Sequence, residues 1–160
     1  MSLAGIPVLE HVVSRIGCCK TVGQALGTSQ HKRLDEFISA RNFLAERYAE
    51  KLSEVPVRIQ TISDKAYSAY HLFVVNLQDE NHVSARQTIF NYMRESGVGV
   101  NVHYIPVHTH PHYKSLGFKW GDFPISEDYY KSAITLPMFP DLTTENQDYV
   151  VEKLREAMHL

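Results

Sequence analysis

Apolar positions recur along the chain with two periods. Val98, Val100, Val102 and Tyr104 alternate with Gly99, Asn101 and His103, the spacing of a strand with one apolar face. Pro106 has no N–H for a ladder, so pairing is expected to end there. The same alternation aims the Tyr104 ring inward, toward the core. Val57–Ile62 (VRIQTI) alternates too, and Ser63–Lys65 reads as a turn. Tyr70–Leu77 (YHLFVVNL) is nearly continuously apolar, as expected of a central strand in which His71 would be buried and satisfied. Ala133–Leu136 is a brief strand closed by Pro137.

Helical spacing fills the rest. Leu34, Ile38, Ala45, Tyr48 and Leu52, widened by Phe37 and Leu44, predict one long helix from about Thr21 to Glu54, stopped by Pro56. A helix of that length would join two bodies or pack on a partner subunit. Ser84–Ser96 predicts a helix with Ile89, Phe90 and Met93 inward and Gly97 just past its end. Pro124–Lys131 predicts a short helix capped by Ser126, with Glu127 and Asp128 at its positive end. The last helix is expected from Thr144, through a Thr144-x-x-Gln147 capping box, with Val150, Val151, Leu154, Ala157 and Met158 as its buried stripe. Residues 1–20 read weakly, as a short helix around Val8, Leu9, Val12, Val13 and Ile16. Strand, strand, helix, strand gives an α+β class, with helices on one face of a small sheet.

Length and composition narrow the picture. A chain of 160 residues suits one domain, and 44% hydrophobic with 21% charged residues is ordinary for a soluble protein. A net charge of −2 offers no basic surplus for a phosphate backbone, so nucleic acid is not an expected partner. No apolar run approaches the roughly 20 residues that span a bilayer, so no membrane association is expected. Cys18 and Cys19 are adjacent and build no disulfide framework; a cytoplasmic location fits, with a vicinal redox pair as the alternative.

The chemistry concentrates after the Val98–Tyr104 alternation. His103 lies in it, and His108, His110, His112 and Tyr113 follow in a loop. Three readings stay open: a His-rich surface loop, a metal chelate from His108-x-His110-x-His112 in extended chain, or a site for a polar, phosphorylated ligand bonded by imidazole and phenol. There is no Gly-x-x-x-x-Gly-Lys loop, no Gly-x-Ser-x-Gly elbow and no paired carboxylates.

Several stretches carry a resemblance: YHLFVV at Tyr70–Val75, GVNVHYIPVHTHPHYKSLGF at Gly99–Phe118, WGDFP at Trp120–Pro124, ITLPMFPDLT at Ile134–Thr143 and QDYVVEKL at Gln147–Leu154. With ALGTSQHKRLDEF at Ala25–Phe37, they resemble the DegT/DnrJ/EryC1/StrS family of nucleotide-sugar aminotransferases dependent on pyridoxal phosphate. The wording is most similar to the branch acting on UDP-linked 4-keto-6-deoxy-N-acetylhexosamines, en route to pseudaminic acid. The resemblance implies the small C-terminal domain of a fold-type I aminotransferase, working as a homodimer. It implies amino transfer from glutamate to a sugar C4 ketone, through a cofactor held by lysine. Carried over by position, His103, Tyr104 and His108, with Tyr113 as a weaker member, would bind the nucleotide sugar.

The departure from the family pattern is large. The serine-to-lysine motif that holds the cofactor does not occur, and none of Lys20, Lys32, Lys51, Lys65, Lys114, Lys119, Lys131 or Lys153 has its context. The expectation is therefore a fragment in three parts: a poorly matching segment 1–20, a linking helix 21–55 and the small domain 56–160. It would bind no pyridoxal phosphate alone, have no catalytic residue of its own, and either supply substrate-binding residues or serve as a non-catalytic oligomerising module. An apolar patch on the long helix is expected to drive homo-oligomer formation.

Overall fold

The computed structural model describes residues 27–78 and 80–159. Cys18, Cys19 and the readings on residues 1–26 lie outside them. The chain divides into two compact units, residues 1–39 and 40–160.

Among the described residues of the first unit, 27–31 are helical and a turn follows at 32–33. There Arg33 N bonds back to Gln30 O at 3.1 Å, a tighter step than an α-helical one. Helix α1 then spans Leu34–Lys51, with Asp35 and Glu36 in its first turn. The single long helix expected from Thr21 is thus interrupted, and it also stops before Glu54. Ser53 N and Val55 N reach back only three residues, to Glu50 O and Leu52 O. That bend lets Leu52 and Val55 both enter the core before Pro56.

In the second unit, β1 (Val57–Ile59), β2 (Phe73–Leu77) and β3 (Ala133–Leu136) form an antiparallel sheet in the order β1-β2-β3. The α+β class holds, and β2 is central as its apolar run indicated. It starts at Phe73 because Tyr70 has a φ of 41°, in the left-handed region, and cannot continue an extended strand. His71 therefore precedes the strand and is exposed, contrary to the buried histidine expected.

Helix α2 (Glu80–Ser84) leads into α3 (Arg86–Glu95). Gly97, at φ 78°, ends α3: Gly97 N bonds Arg94 O at 3.0 Å and Val98 N bonds Met93 O at 2.9 Å. This paired arrangement uses up two terminal carbonyls. Val98 and Val100 are then buried as the alternation indicated, but 98–104 is not a strand. Val100 N turns back to Val98 O, Val102 N bonds the Asn101 side chain, and only Asn101 pairs with the sheet, through Thr135.

Past the 3-10 turn Val107–Thr109 come α4 (Pro111–Ser115) and α5 (Pro124–Ser132). The N-cap of α5 is Phe123, not Ser126, with no side-chain cap of its own. Helix α6 (Thr144–Ala157) is capped one residue earlier than expected, by Thr143, whose Oγ1 accepts from Asn146 N at 3.2 Å. Gln147 is thereby released from a capping role. It is fully buried and donates to Leu44 O of α1 at 2.7 Å.

One core joins α1, α3, α6 and the sheet, centred on Tyr48, Val75, Met93, Ile134 and Leu154. Tyr48 stacks on Phe73 with centroids 4.8 Å apart and donates its hydroxyl to Pro137 O. Burial pushes the Tyr48 phenol well above its ordinary value, so it remains a neutral donor. Arg47 of α1 binds Gln147 and Asp148 of α6, and Lys51 joins Asp148 at 2.7 Å. No helix among the described residues is long and apolar enough to cross a membrane.

Candidate functional site

The sheet positions the first candidate. Thr135 sits in β3, where all four residues are buried. Its backbone exchanges two hydrogen bonds with Asn101, at 3.1 and 2.8 Å. Its Oγ1 lies 2.9 Å from His103 Nδ1. One buried residue thus clamps the backbone before His103 and one nitrogen of the ring. The His103 imidazole is half-buried, with Nε2 left available for a further bond.

The neighbouring peptide, His103–Tyr104, is cis. The Tyr104 ring meets His103 edge-on at 4.7 Å and is 67% exposed. The inward, core reading of Tyr104 is therefore wrong. Without ladder bonds past Asn101, nothing maintains the two-residue alternation that reading assumed.

His108, expected to bind the nucleotide sugar beside His103 and Tyr104, occupies different ground. Its side chain is buried in the 3-10 turn, and Nε2 lies 2.8 Å from Glu127 Oε1, also buried. The same carboxylate oxygen accepts from Gly121 N at 2.7 Å and Phe123 N at 3.4 Å. Burial pushes the Glu127 carboxyl up; the Gly121 amide, His108 and the Phe123 amide outweigh it and hold it below its ordinary value. Glu127 therefore stays ionised and accepts from the His108 ring N–H. Sequence reasoning placed Glu127 only at a helix end and missed this role. The signal available in the sequence was an acidic residue in the first turn of a helix.

Between these partners, residues 110–126 are all exposed. Tyr113 lies here, 38% exposed, with its ring 5.3 Å from His112 and 6.3 Å from Phe118. Phe118 continues to Phe123, and Phe123 to His108, at 6.1 and 4.8 Å. A chain of rings thus runs from the buried imidazole to the surface. His110 and His112 face solvent. The extended chelate His108-x-His110-x-His112 does not form, because the backbone coils into a 3-10 turn and α4. Among the described residues, no three potential metal ligands converge.

Among the described residues, no lysine has the setting that a Schiff base with pyridoxal phosphate needs. A Schiff base needs a lysine free to react inside an enclosed site. Lys51, Lys131 and Lys153 are engaged by Asp148, Asp128 and Glu156. Lys32, Lys65, Lys114 and Lys119 stand exposed on the surface.

Comparison with known proteins gives the family and supports the fold. The model of the DegT/DnrJ/EryC1/StrS aminotransferase family matches residues 20–155. The chain belongs to this family. Among its relatives, spore coat polysaccharide biosynthesis protein SpsC of Bacillus subtilis is 35% identical over 84% of this chain and 35% of its own length. Aminotransferase TlmJ from Streptoalloteichus hindustanus superposes with a TM-score of 0.77 at 26% identity, over 86% of this chain and 36% of that one. The PLP-form of Spr1654 from Streptococcus pneumoniae superposes with a TM-score of 0.82 at 23% identity, over 89% of this chain and 36% of that one, and supports the fold. The chain thus spans about a third of the length of these proteins.

Proposed function

We propose that the chain is the substrate-facing small domain of a nucleotide-sugar aminotransferase. The reaction would move an amino group from glutamate to the C4 ketone of a UDP-linked deoxy sugar, for surface polysaccharide or nonulosonic acid synthesis in the cytoplasm. His103, Tyr104 and Tyr113 face the nucleotide sugar, and His108 acts from behind them. The observation that carries this reading is the pair His103–Tyr104, set at the sheet by Thr135 with an imidazole nitrogen and a phenol open to a ligand. Such groups bond sugar hydroxyls and phosphate oxygens without burying a full charge. SpsC, named for polysaccharide biosynthesis, supports the same direction. The cofactor lysine is not supplied by the described residues, so the chain is expected to be inactive alone.

Titration calorimetry with UDP-N-acetylglucosamine tests the proposal. Binding by the wild-type chain, weakened about tenfold by His103→Ala through loss of one polar contact, supports it. No heat of binding sinks it. Adding pyridoxal phosphate is expected to give neither aldimine absorbance nor turnover. A second reading, an oligomerising module without sugar-nucleotide affinity, draws on the exposed apolar side chains of the 104–125 stretch, such as Ile125, 87% exposed.

A further inference from the structure

Residues 110–126 contribute no buried side chain to the core. Their internal bonds are short-range: Phe118 N to Tyr113 O, Ser115 Oγ to His112 O and Lys119 N to Asp122 Oδ2. A segment of this kind owes its shape to how its ends are held. Both ends meet at one point. His108, on the turn that opens the segment, and Glu127, in the first turn of the helix that closes it, are 8% and 3% exposed at their side chains. They touch at 2.8 Å across nineteen positions of chain. Glu127 also takes the amides of Gly121 and Phe123, so a single carboxylate oxygen gathers three donors from two stretches of the neck. Among the described residues, no side chain besides His108 bonds Glu127. Nearby Asp122 is engaged by the Lys119 amide, and Asp128 by Lys131.

We propose that Glu127, acting through His108, is a positioning residue that fixes the loop 110–126 in the form that presents Tyr113 to the nucleotide sugar. The inference rests on the substrate-facing reading above. The physical reason is the cost of separating the pair. An ionised carboxylate without His108 remains buried with only two amide donors, and an imidazole without Glu127 remains buried with none. The clasped form therefore dominates over open loop conformers. Ring contacts through Phe123 and Phe118 carry that fixed geometry out to Tyr113.

The test uses His108→Ala, which removes the donor, and His108→Gln, whose amide reaches a similar point with an N–H. Glu127→Asp, a shorter carboxylate, probes the same contact from the other side should His108→Ala fail to fold. Trypsin, which cuts after Lys114 and Lys119 inside the loop, reads the clasp without any ligand. Calorimetry with UDP-N-acetylglucosamine reads positioning. Leu154→Ala, in the core, serves as the control that lowers the melting temperature alone.

The expected result is loop cleavage faster by about tenfold in His108→Ala and Glu127→Asp, with sugar-nucleotide affinity down by a similar factor and both restored in His108→Gln. Leu154→Ala should leave affinity unchanged at a lowered Tm. Unchanged loop cleavage in His108→Ala overturns the clasp. Faster cleavage with unchanged affinity overturns the positioning role. If the wild-type chain binds no probe, the proposed function fails, with the role toward the sugar, while the cleavage ratios still decide whether Glu127 holds the loop.

Discussion

Thr135 shows how much one buried hydroxyl can decide. It is 5% exposed, and its Oγ1 holds His103 Nδ1 while its backbone holds Asn101. Replacing it by valine keeps the shape and removes the hydroxyl, so the ring loses its anchor while the strand keeps its packing. Thr135→Val is expected to shift the nitrogen resonances of His103 and broaden them, and Thr135→Ser to restore them; identical spectra in all three would dismiss the anchor. At this scale the sequence was half legible. The alternation holds at Val98 and Val100, which are buried, whereas His103 comes to the sheet through the Asn101 bridge and its own contact with Thr135. Beyond Asn101 no ladder enforces it, and Tyr104, read as core, is exposed. Glu127 escaped notice because its partner is nineteen positions away, and periodicity reports only neighbours on one element.

Elements were read more securely than their ends. The β3 span, the central place of β2 and the buried stripe of α6 all follow from apolar spacing, which burial in one core enforces. Ends depend on which donor reaches which carbonyl, and a choice between Thr143 and Thr144 as cap is one residue of geometry. The α3 terminus is the exception, because only glycine adopts a φ of 78° without strain. A Cβ at Gly97 meets nothing within 4 Å, so Gly97→Ala should cost strain alone, about 1 kcal/mol by chemical denaturation. Asp148 joins α1 to α6 and gives a pH prediction. Hydrogen bonds from Arg47 and Lys51 outweigh burial and hold its carboxyl well below its ordinary value of 3.8. A depressed folded value means the unfolded chain takes up the proton first as pH falls. The contribution is therefore complete above about pH 5, and is lost as pH drops through the unfolded and then the folded value. Asp148→Asn should lower the urea midpoint at pH 6, with the gap to wild type closing toward pH 2.5; parallel curves would refute this.

For the whole molecule, the balance between core and surface is the informative quantity. The core of the second unit is one continuous cluster, yet Tyr104, Ile105, Leu116, Trp120 and Ile125 stay about half exposed or more on one stretch of chain. On α1, where an apolar patch was expected, Phe43 alone is a largely exposed big apolar side chain, at 58%. Leaving apolar surface in water costs roughly 25 cal/mol per Å², so association that removes it is favoured. The prediction is a species heavier than one 18.3 kDa chain by light scattering at micromolar concentration. Sulfate should strengthen that association, because it increases the penalty on apolar exposure; a contact made of ion pairs would instead weaken with salt. Ile125→Asp, at the most exposed of these positions, puts a charge into the surface without touching the core and should return the chain to 18.3 kDa. A wild-type chain of monomer mass under all these conditions would show that the aromatic stretch is not a self-association surface.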